Sequence, residues 1–433
     1  MASIKLAYIG GGSTRAAGTM ASLINQGASF AGSEVVLIDL NEDRLALVLK
    51  LAEKMAKCQG VDLRITATTE RRAGLRDCDA VLTSFRPGGF DARHLDESIP
   101  KKHGVIGQET QGAGGFFMAL RSIAIMKGIV EDVSAVAPRA RIFNYTNPVN
   151  LVAQAVTQFS NVPLVSLCEG PIYGPEELAE AAGLDPNLLN VASIGVNHCS
   201  WSVHATWDGK PFIPLLAEAL PRVRDDASVK VTVRRMMELA VELGSIPSEY
   251  LMYYLMRRTV LEEQQAKATT RAQDIMAMVP DYWRHYEEQA EVECPVLDPA
   301  RSRGGINELE LAIDCMDAIF NDRKVTMPVN VPNRGVIPDL PDELVVETVG
   351  FVDRNGIAPL SLGPLPKPAR SVVSALAEYQ LLTAEAAWNG DRKDAIIALA
   401  SNPLCNDLPT AIAVYDELAA AHRAHLPERL VRQ

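Results

Sequence analysis

A strand that runs into glycines and then into a helix constrains this chain more than any other stretch. Residues 5–40 read KLAYIGGGSTRAAGTMASLINQGASFAGSEVVLIDL. The apolar run Leu6–Ile9 suits a buried parallel strand, and it leads directly into Gly10-Gly11-Gly12-Ser13 and a helix-like segment. A second apolar run, Val35–Ile38, ends in Asp39. This is the order of a βαβ unit that binds a dinucleotide. Glycines let the backbone approach a pyrophosphate, and the helix start offers N–H groups with a partial positive charge. An acidic residue closing the second strand can take ribose hydroxyls and would repel a 2′-phosphate, so the pattern points to NAD. Gly10, Gly12, Ser13, Thr14, Arg15 and Asp39 are the expected cofactor contacts. The third glycine of G-x-G-x-x-G is missing, because Arg15 stands at its spacing and Gly18 follows three residues later. A glycine turn that binds nothing is the plainer alternative for such a cluster.

Length and charge bound the rest. A chain of 433 residues with 48% apolar and 22% charged residues has enough material for two or three globular domains. No run of about 18 apolar residues is seen, so no membrane partner is expected. Met1–Lys5 leads straight into a strand, so no signal peptide is expected. Seven cysteines without paired spacing suggest reduced thiols and a cytoplasmic location. The net charge of -12 argues against nucleic acid as the partner. A local arginine cluster can still bind a small anion.

Strand-like and helix-like segments alternate over the first two hundred residues. The strands are Leu6–Ile9, Val35–Ile38, Arg64–Thr68, Ala80–Ser84, Arg141–Asn144 and Leu164–Leu167, with prominent helices at Leu45–Lys57 and Phe116–Val136. The expected fold is α/β: a Rossmann-type, doubly wound parallel sheet over residues 1–200 that binds the cofactor. Residues 201–433 are expected to form a mixed α+β domain for substrate and oligomer contacts. Its segments are helices at Val229–Leu243, Arg258–Met278, Glu308–Phe320, Ser371–Trp388 and Arg392–Leu399, and a strand at Leu344–Val352. Ligands of such a sheet sit at the carboxyl ends of its strands.

One of those ends offers metal-ligand chemistry. Cys168-Glu169-Gly170 closes a predicted strand, and Gly195-Val196-Asn197-His198-Cys199 follows about thirty residues later. A thiolate and an imidazole could share one divalent cation and leave positions open for substrate. A buried cysteine and a core histidine are the ordinary alternative.

These features belong to a longer series. Gly10–Ser13 is followed by Arg86-Pro87-Gly88-Gly89, then by residues 99–110 (IPKKHGVIGQET) and Asn144-Tyr145-Thr146-Asn147-Pro148. Cys168, Asn197-His198, Ile246-Pro247-Ser248-Glu249-Tyr250, Arg303-Gly304-Gly305 and residues 330–335 (NVPNRG) complete it. In order and spacing the series resembles glycoside hydrolase family 4, the NAD-dependent and usually metal-dependent glycosidases. Lactate and malate dehydrogenases share the fold without this set.

The resemblance implies an unusual hydrolysis. Hydride is lent from C3 of the sugar to NAD, a base takes the acidified C2 proton, and the enediolate expels the aglycone. Water then adds and the hydride returns, so there is no net redox change, unlike the two-carboxylate route of most glycosidases. By the same resemblance Cys168 and His198 hold a divalent metal, manganese by family habit, though it could prove dispensable. Tyr250 is the C2 base, Arg271 its companion, and Tyr253 and Tyr254 stay open as alternative bases. Arg86, Arg93, Glu109, Asn147, Asn197 and Arg303 would contact substrate. Asn147 could instead be a helix N-cap. By the same resemblance a homodimer or homotetramer is expected.

The sugar's C6 group is read from arginine. Arg86, Arg93, Lys101 and Lys102 fall in one segment, and relatives use such arginines on a C6 phosphate. Glu169 departs from the Asp or Asn usual in phospho-glucosidases after the metal cysteine. Its carboxyl could protonate a leaving group on the α face. This tips the expectation to a sulfoquinovoside, a glucoside with a C6 sulfonate, over a 6-phospho-α- or β-glucoside. A plain NAD-dependent sugar dehydrogenase and a non-catalytic nucleotide sensor are the competing classes.

Overall fold

β1 (Lys5–Ile9) lies at the centre of a parallel block because its apolar residues are buried on both faces. The structure is a computed structural model that describes residues 1–302, 310–405 and 407–432. β1 pairs in parallel with β2 (Ser33–Ile38) and β4 (Ala80–Thr83). β3 (Leu63–Thr68) lies outside β2, and β5 (Arg141–Asn144) and β6 (Leu164–Ser166) continue beyond β4. The six expected strands are therefore present. The helices between them are α1 (Ala16–Asn25), α2 (Glu42–Gln59), α3 (Arg71–Leu75), α4 (Gly89–Lys102), α5 (Gly112–Val136) and α6 (Val149–Phe159). The doubly wound α/β architecture is as the alternation predicts.

The second half adds strands to the same sheet. After α7 (Gly170–Ala182) come β7 (Leu189–Val196), β8 (Cys199–Trp207) and β9 (Lys210–Pro211). Helices α8 (Phe212–Asp225), α9 (Val231–Leu243), α10 (Met252–Leu255), α11 (Arg257–Ala266), α12 (Arg271–Glu291) and α13 (Glu310–Asn321) follow. Then come β10 (Val325–Pro332), β11 (Val345–Asp353), β12 (Gly356–Pro359), α14 (Arg370–Trp388), α15 (Arg392–Ser401) and α16 (Leu408–Ala421). Sheet order is β3-β2-β1-β4-β5-β6-β10-β11-β7-β8-β9, with β12 beside β11. β10 and β11, antiparallel to their neighbours, carry the sheet from β6 across to β7. No local pattern in the sequence reveals this insertion, since it joins segments far apart in the chain.

Local chemistry sets the boundaries. Asn41 caps α2 by accepting from the Arg44 N–H, Glu42 and Asp43 sit in the first turn, and Gly60 ends the helix at φ 66°. α5 is long and apolar enough to cross a membrane, yet 78% of its apolar window is buried inside the protein. There Phe117 packs on Tyr415 with ring centroids 5.2 Å apart. Truncating such a core phenylalanine to alanine costs about 3–5 kcal/mol.

Two expectations are corrected. The single helix expected over Arg258–Met278 is two, broken at residues 267–270, where Thr270 and Gln273 form a capping box that starts α12. The cysteines are not all free thiols. Cys58, at the end of α2, and Cys294, just after α12, form a disulfide, and Cys78, Cys168, Cys199, Cys315 and Cys405 are free. The pairing is invisible to spacing because 236 residues separate the partners, which meet where α2 and α12 pack.

Candidate active site

The glycine turn is built for close approach. Gly10 N and Gly11 N donate to Ile38 O, and Gly12 N donates to Asp39 Oδ2 at 2.9 Å. A Cβ on Gly10 would lie 2.1 Å from Ser84 O, and one on Gly12 would lie 2.9 Å from Asp39 Cγ. Side chains are excluded at both positions, and Gly10 has φ 100°. Arg15 is the N-cap of α1, which has no side-chain cap and no acidic first-turn residue. Its N-terminus can therefore face an anion. Ser13 and Thr14 lie in the same turn, and Thr14 O accepts from Tyr286 of α12 at 2.8 Å. These residues fit the pyrophosphate and ribose of a dinucleotide.

At the other strand ends, Cys168 Sγ lies 3.7 Å from His198 Nε2. His198 sits in the β7–β8 turn at φ 63°. Thr110 Oγ1 is 3.0 Å from His198 Nδ1 and donates to Gln108 Oε1 at 3.0 Å. A hydroxyl that donates to an amide oxygen accepts from Nδ1–H, which leaves the Nε2 lone pair on the Cys168 side. Burial lowers the His198 pKa to about 4, so the ring is neutral near pH 7. Burial, reinforced by the Glu347 charge, pushes the Cys168 thiol up to about 12, so only a cation would hold it as thiolate. The Asn197 side chain interacts with Cys168 and donates to Glu347 Oε2 at 2.7 Å, and its Oδ1 is buried without a donor. This donor set fits a divalent metal. Among the described residues no group of three His, Cys, Asp or Glu is clustered, so coordination positions would stay open.

Tyr250 is stacked flat on His198, with ring centroids 3.7 Å apart. It precedes α10 in a short 3-10 turn, Glu249–Leu251. Desolvation, with Glu249 next in weight, holds its phenol well above the ordinary value. Tyr254 donates to Gln111 Oε1 at 2.6 Å and packs against the core, whereas Tyr253 lines the cavity beside Tyr250. The three tyrosines thus have distinct settings.

That cavity, about 730 Å³, is lined by Arg15, Arg93, Glu109, Tyr250, Tyr253 and Arg271 among others. Glu109 bridges two arginines, at 2.6 Å from Arg86 and 3.0 Å from Arg93, and Arg93 Nε also meets Glu97 at 2.6 Å. The expected anion-binding arginines are thus charge-compensated by carboxylates of the chain. Glu97 Oε2 takes the Ala272 N–H, which docks the start of α12 on α4 and sets Arg271 at the cavity wall. Lys101 lines the cavity, but Lys102 turns away to Glu417 at 2.6 Å, contrary to its grouping with the arginines.

Glu169 is the N-cap residue of α7, directly after Cys168. Asn147 is not the helix N-cap considered from sequence, since that position is Pro148, and its carbonyl accepts from Ser122 Oγ at 3.0 Å. Arg303 lies outside the described residues. Sequence reasoning missed Thr110 and Gln111 beside His198, and Glu347 behind Asn197. A lone glutamate inside the apolar run LVVETV was the available signal for Glu347.

Comparison with known proteins places this arrangement. Residues 5–184 match the family described as Family 4 glycosyl hydrolase, and residues 193–405 match the Family 4 glycosyl hydrolase C-terminal domain. The chain belongs to glycosyl hydrolase family 4. It is therefore a glycosidase. Among its family relatives, the "Probable 6-phospho-beta-glucosidase" of Bacillus subtilis is 32% identical, covering 98% of each chain. The 6-phospho-beta-glucosidase of Escherichia coli is 28% identical over 98% of this chain and 96% of that one. The solved 6-phospho-beta glucosidase of Thermotoga maritima, with NAD and glucose-6-phosphate, is 26% identical with a TM-score of 0.85 over 98% and 99% of the two chains. A further structure of that enzyme contains manganese and NAD+ as well as the sugar phosphate. The fold is also that of a lactate and a malate dehydrogenase, with TM-scores of 0.56 and 0.55.

Proposed function

We propose that this family 4 enzyme hydrolyses 6-phosphoglucosides, with NAD on the glycine turn and a divalent metal at Cys168 and His198. The observation that carries the reading is the stack of Tyr250 on His198, whose far nitrogen faces Cys168. One compact column would hold both a proton-transfer group and a metal pair. The relatives' names and the T. maritima ligands support the phosphate.

When bound, NAD would exchange hydride with C3 and the cation would polarise the sugar oxygens. The protein's own groups do the rest. Tyr250 would take the C2 proton as its phenolate, which a cation held next to it at His198 would favour, and Arg271 lines the same cavity. Glu169 gives a proton to the departing oxygen. Asn147, Asn197 and Glu109 fix the sugar hydroxyls, and Arg86 and Arg93 contact the C6 anion while sharing Glu109. Arg303 is assigned to the substrate from sequence alone.

The charge compensation around Glu109 favours a second reading, the sulfoquinovoside expected from Glu169. A sulfonate has one negative charge and needs less uncompensated cation than a phosphate. Hydrolysis of matched nitrophenyl glycosides of glucose 6-phosphate, sulfoquinovose and glucose, with and without NAD and Mn2+, separates the readings. Turnover of the 6-phosphoglucoside first is the expected result. Stoichiometric NADH release would instead indicate a dehydrogenase. A cytoplasmic dimer or tetramer, with residues 1–200 carrying the cofactor and 201–433 closing over it, completes the proposal.

A further inference from the structure

Polar residues cross the sheet at one level. In register, Thr83 of β4 stands beside Asn144 of β5, then Ser166 of β6, Asn330 of β10, Glu347 of β11, Gly195 of β7 and Ser200 of β8. The side chains of this row are buried. The first part of the row is satisfied within itself. Thr83 Oγ1 donates to Asn144 Oδ1 at 2.8 Å, and Asn144 Nδ2 donates to Ser166 Oγ at 2.8 Å.

Glu347 is the ionisable member, and it is 1% exposed. Asn197 donates to its Oε2 at 2.7 Å and Asn330 at 3.5 Å, and among the described residues no lysine or arginine pairs with it. A carboxylate without a cation in the interior is costly. Ser200, Asn197 and Asn330 hydrogen-bond to it without neutralising its charge, and burial pushes its carboxyl up, so a cation close by is what would hold it ionised. The amide it holds belongs to Asn197, which precedes His198 in the β7–β8 turn and interacts with Cys168. A divalent cation bound by one thiolate and one neutral imidazole would bring one net positive charge into this interior. Glu347 has the matching negative charge, placed behind the ligands.

We propose that Glu347 is a positioning residue for the metal pair: through Asn197 it fixes the turn that carries His198, and its carboxylate balances the charge of the bound cation. This rests on the reading of Cys168 and His198 as metal ligands. Ligand-orienting partners of this kind typically change metal affinity by roughly 10–100-fold when removed.

Metal-stripped full-length protein is titrated with Mn2+ alone, and free Mn2+ is read from its electron paramagnetic resonance signal. Circular dichroism reports the fold of each variant. Glu347→Gln keeps the shape and deletes the charge, so Mn2+ should bind roughly 10–100-fold more weakly in a folded protein. Affinity within twofold of native overturns the proposal. Glu347→Asp keeps the charge and serves if the glutamine variant does not fold. Its affinity should stay within about tenfold of native, and a loss as large as that of Cys168→Ser overturns the charge role. Failure of the underlying reading looks different, because native protein would then take up no Mn2+, or Cys168→Ser would bind it as tightly as native.

Discussion

The rings of Tyr250 and His198 lie 5° from parallel with centroids 3.7 Å apart. In the proposed site, the phenol stacked on this imidazole is placed by packing, and its hydroxyl is the group that would move a proton. Tyr250→Phe keeps the stack and removes that hydroxyl. Turnover should fall by roughly 10²–10⁴-fold with thermal stability little changed. Tyr253→Phe should have a much smaller effect. Equal loss in the two variants, measured as kcat on the same glycoside, would remove the assignment of Tyr250 as base.

His198 gives a pH signature to the metal-free protein. Its folded pKa of about 4 lies below the 6.5 of an exposed histidine, because burial disfavours the charged ring. Above pH 6.5 the ring is neutral in both states and no penalty applies. As pH falls towards 4 the unfolded chain binds a proton that the folded one does not. Stability should therefore drop across that window, by up to about 3 kcal/mol. Denaturant titrations of native protein and His198→Gln at pH 7 and pH 4.5 check this. A drop of the same size in the variant would assign the pH response to other groups.

Arg86 and Arg93 share Glu109, so their role is open to a charge test. Replacing Arg86 with Met should reduce kcat/KM on a 6-phosphoglucoside roughly 10–100-fold more than on its neutral glucoside, as expected for loss of a charge-assisted hydrogen bond. Equal losses on both substrates would mean that the arginine holds Glu109 in place rather than the anion.

Much of the fold was legible because the parallel strands are continuous apolar runs bounded by turns, as at Leu6–Ile9 and Val35–Ile38. Cys168, His198 and Tyr250 lie on separate segments that the family motifs identified, and the structure brings them within stacking and ligand distance. What stayed hidden was non-local. The pairing of β10 and β11 between β6 and β7, and the Cys58–Cys294 link, depend on contacts no local pattern encodes. The break at residues 267–270 was missed because the run of polar residues continues through the cap at Thr270. The compensation of Arg86 and Arg93 by Glu109 was also hidden, since attraction across sixteen or more residues leaves no trace in spacing.

The disulfide makes a simple prediction. Of the seven cysteines, Cys58 and Cys294 are paired and five are free. Thiol titration of unreduced, denatured protein should count those five free cysteines. A count equal to the full set of seven cysteines would show that the pair is reduced in solution.

Asp39 links the glycine turn to nucleotide choice. Its Oδ2 takes the Gly12 N–H, which ties the carboxylate to the glycine turn, and the proposed role is to take the ribose hydroxyls. Asp39→Ala should weaken NAD binding and narrow its preference over NADP. Equal affinity of native protein for the two nucleotides, by calorimetry, would count against this placement.

Proton removal from C2 is the step that separates this chemistry from direct displacement at C1, and solvent exchange reads it most directly. Hydrolysis of a 6-phosphoglucoside by native protein in deuterium oxide, with NAD and Mn2+ present, is followed by proton NMR of the released sugar phosphate. Deuterium should be found at C2, placed there after Tyr250 has taken the original hydrogen. Product that keeps its full C2 hydrogen signal would contradict the elimination route.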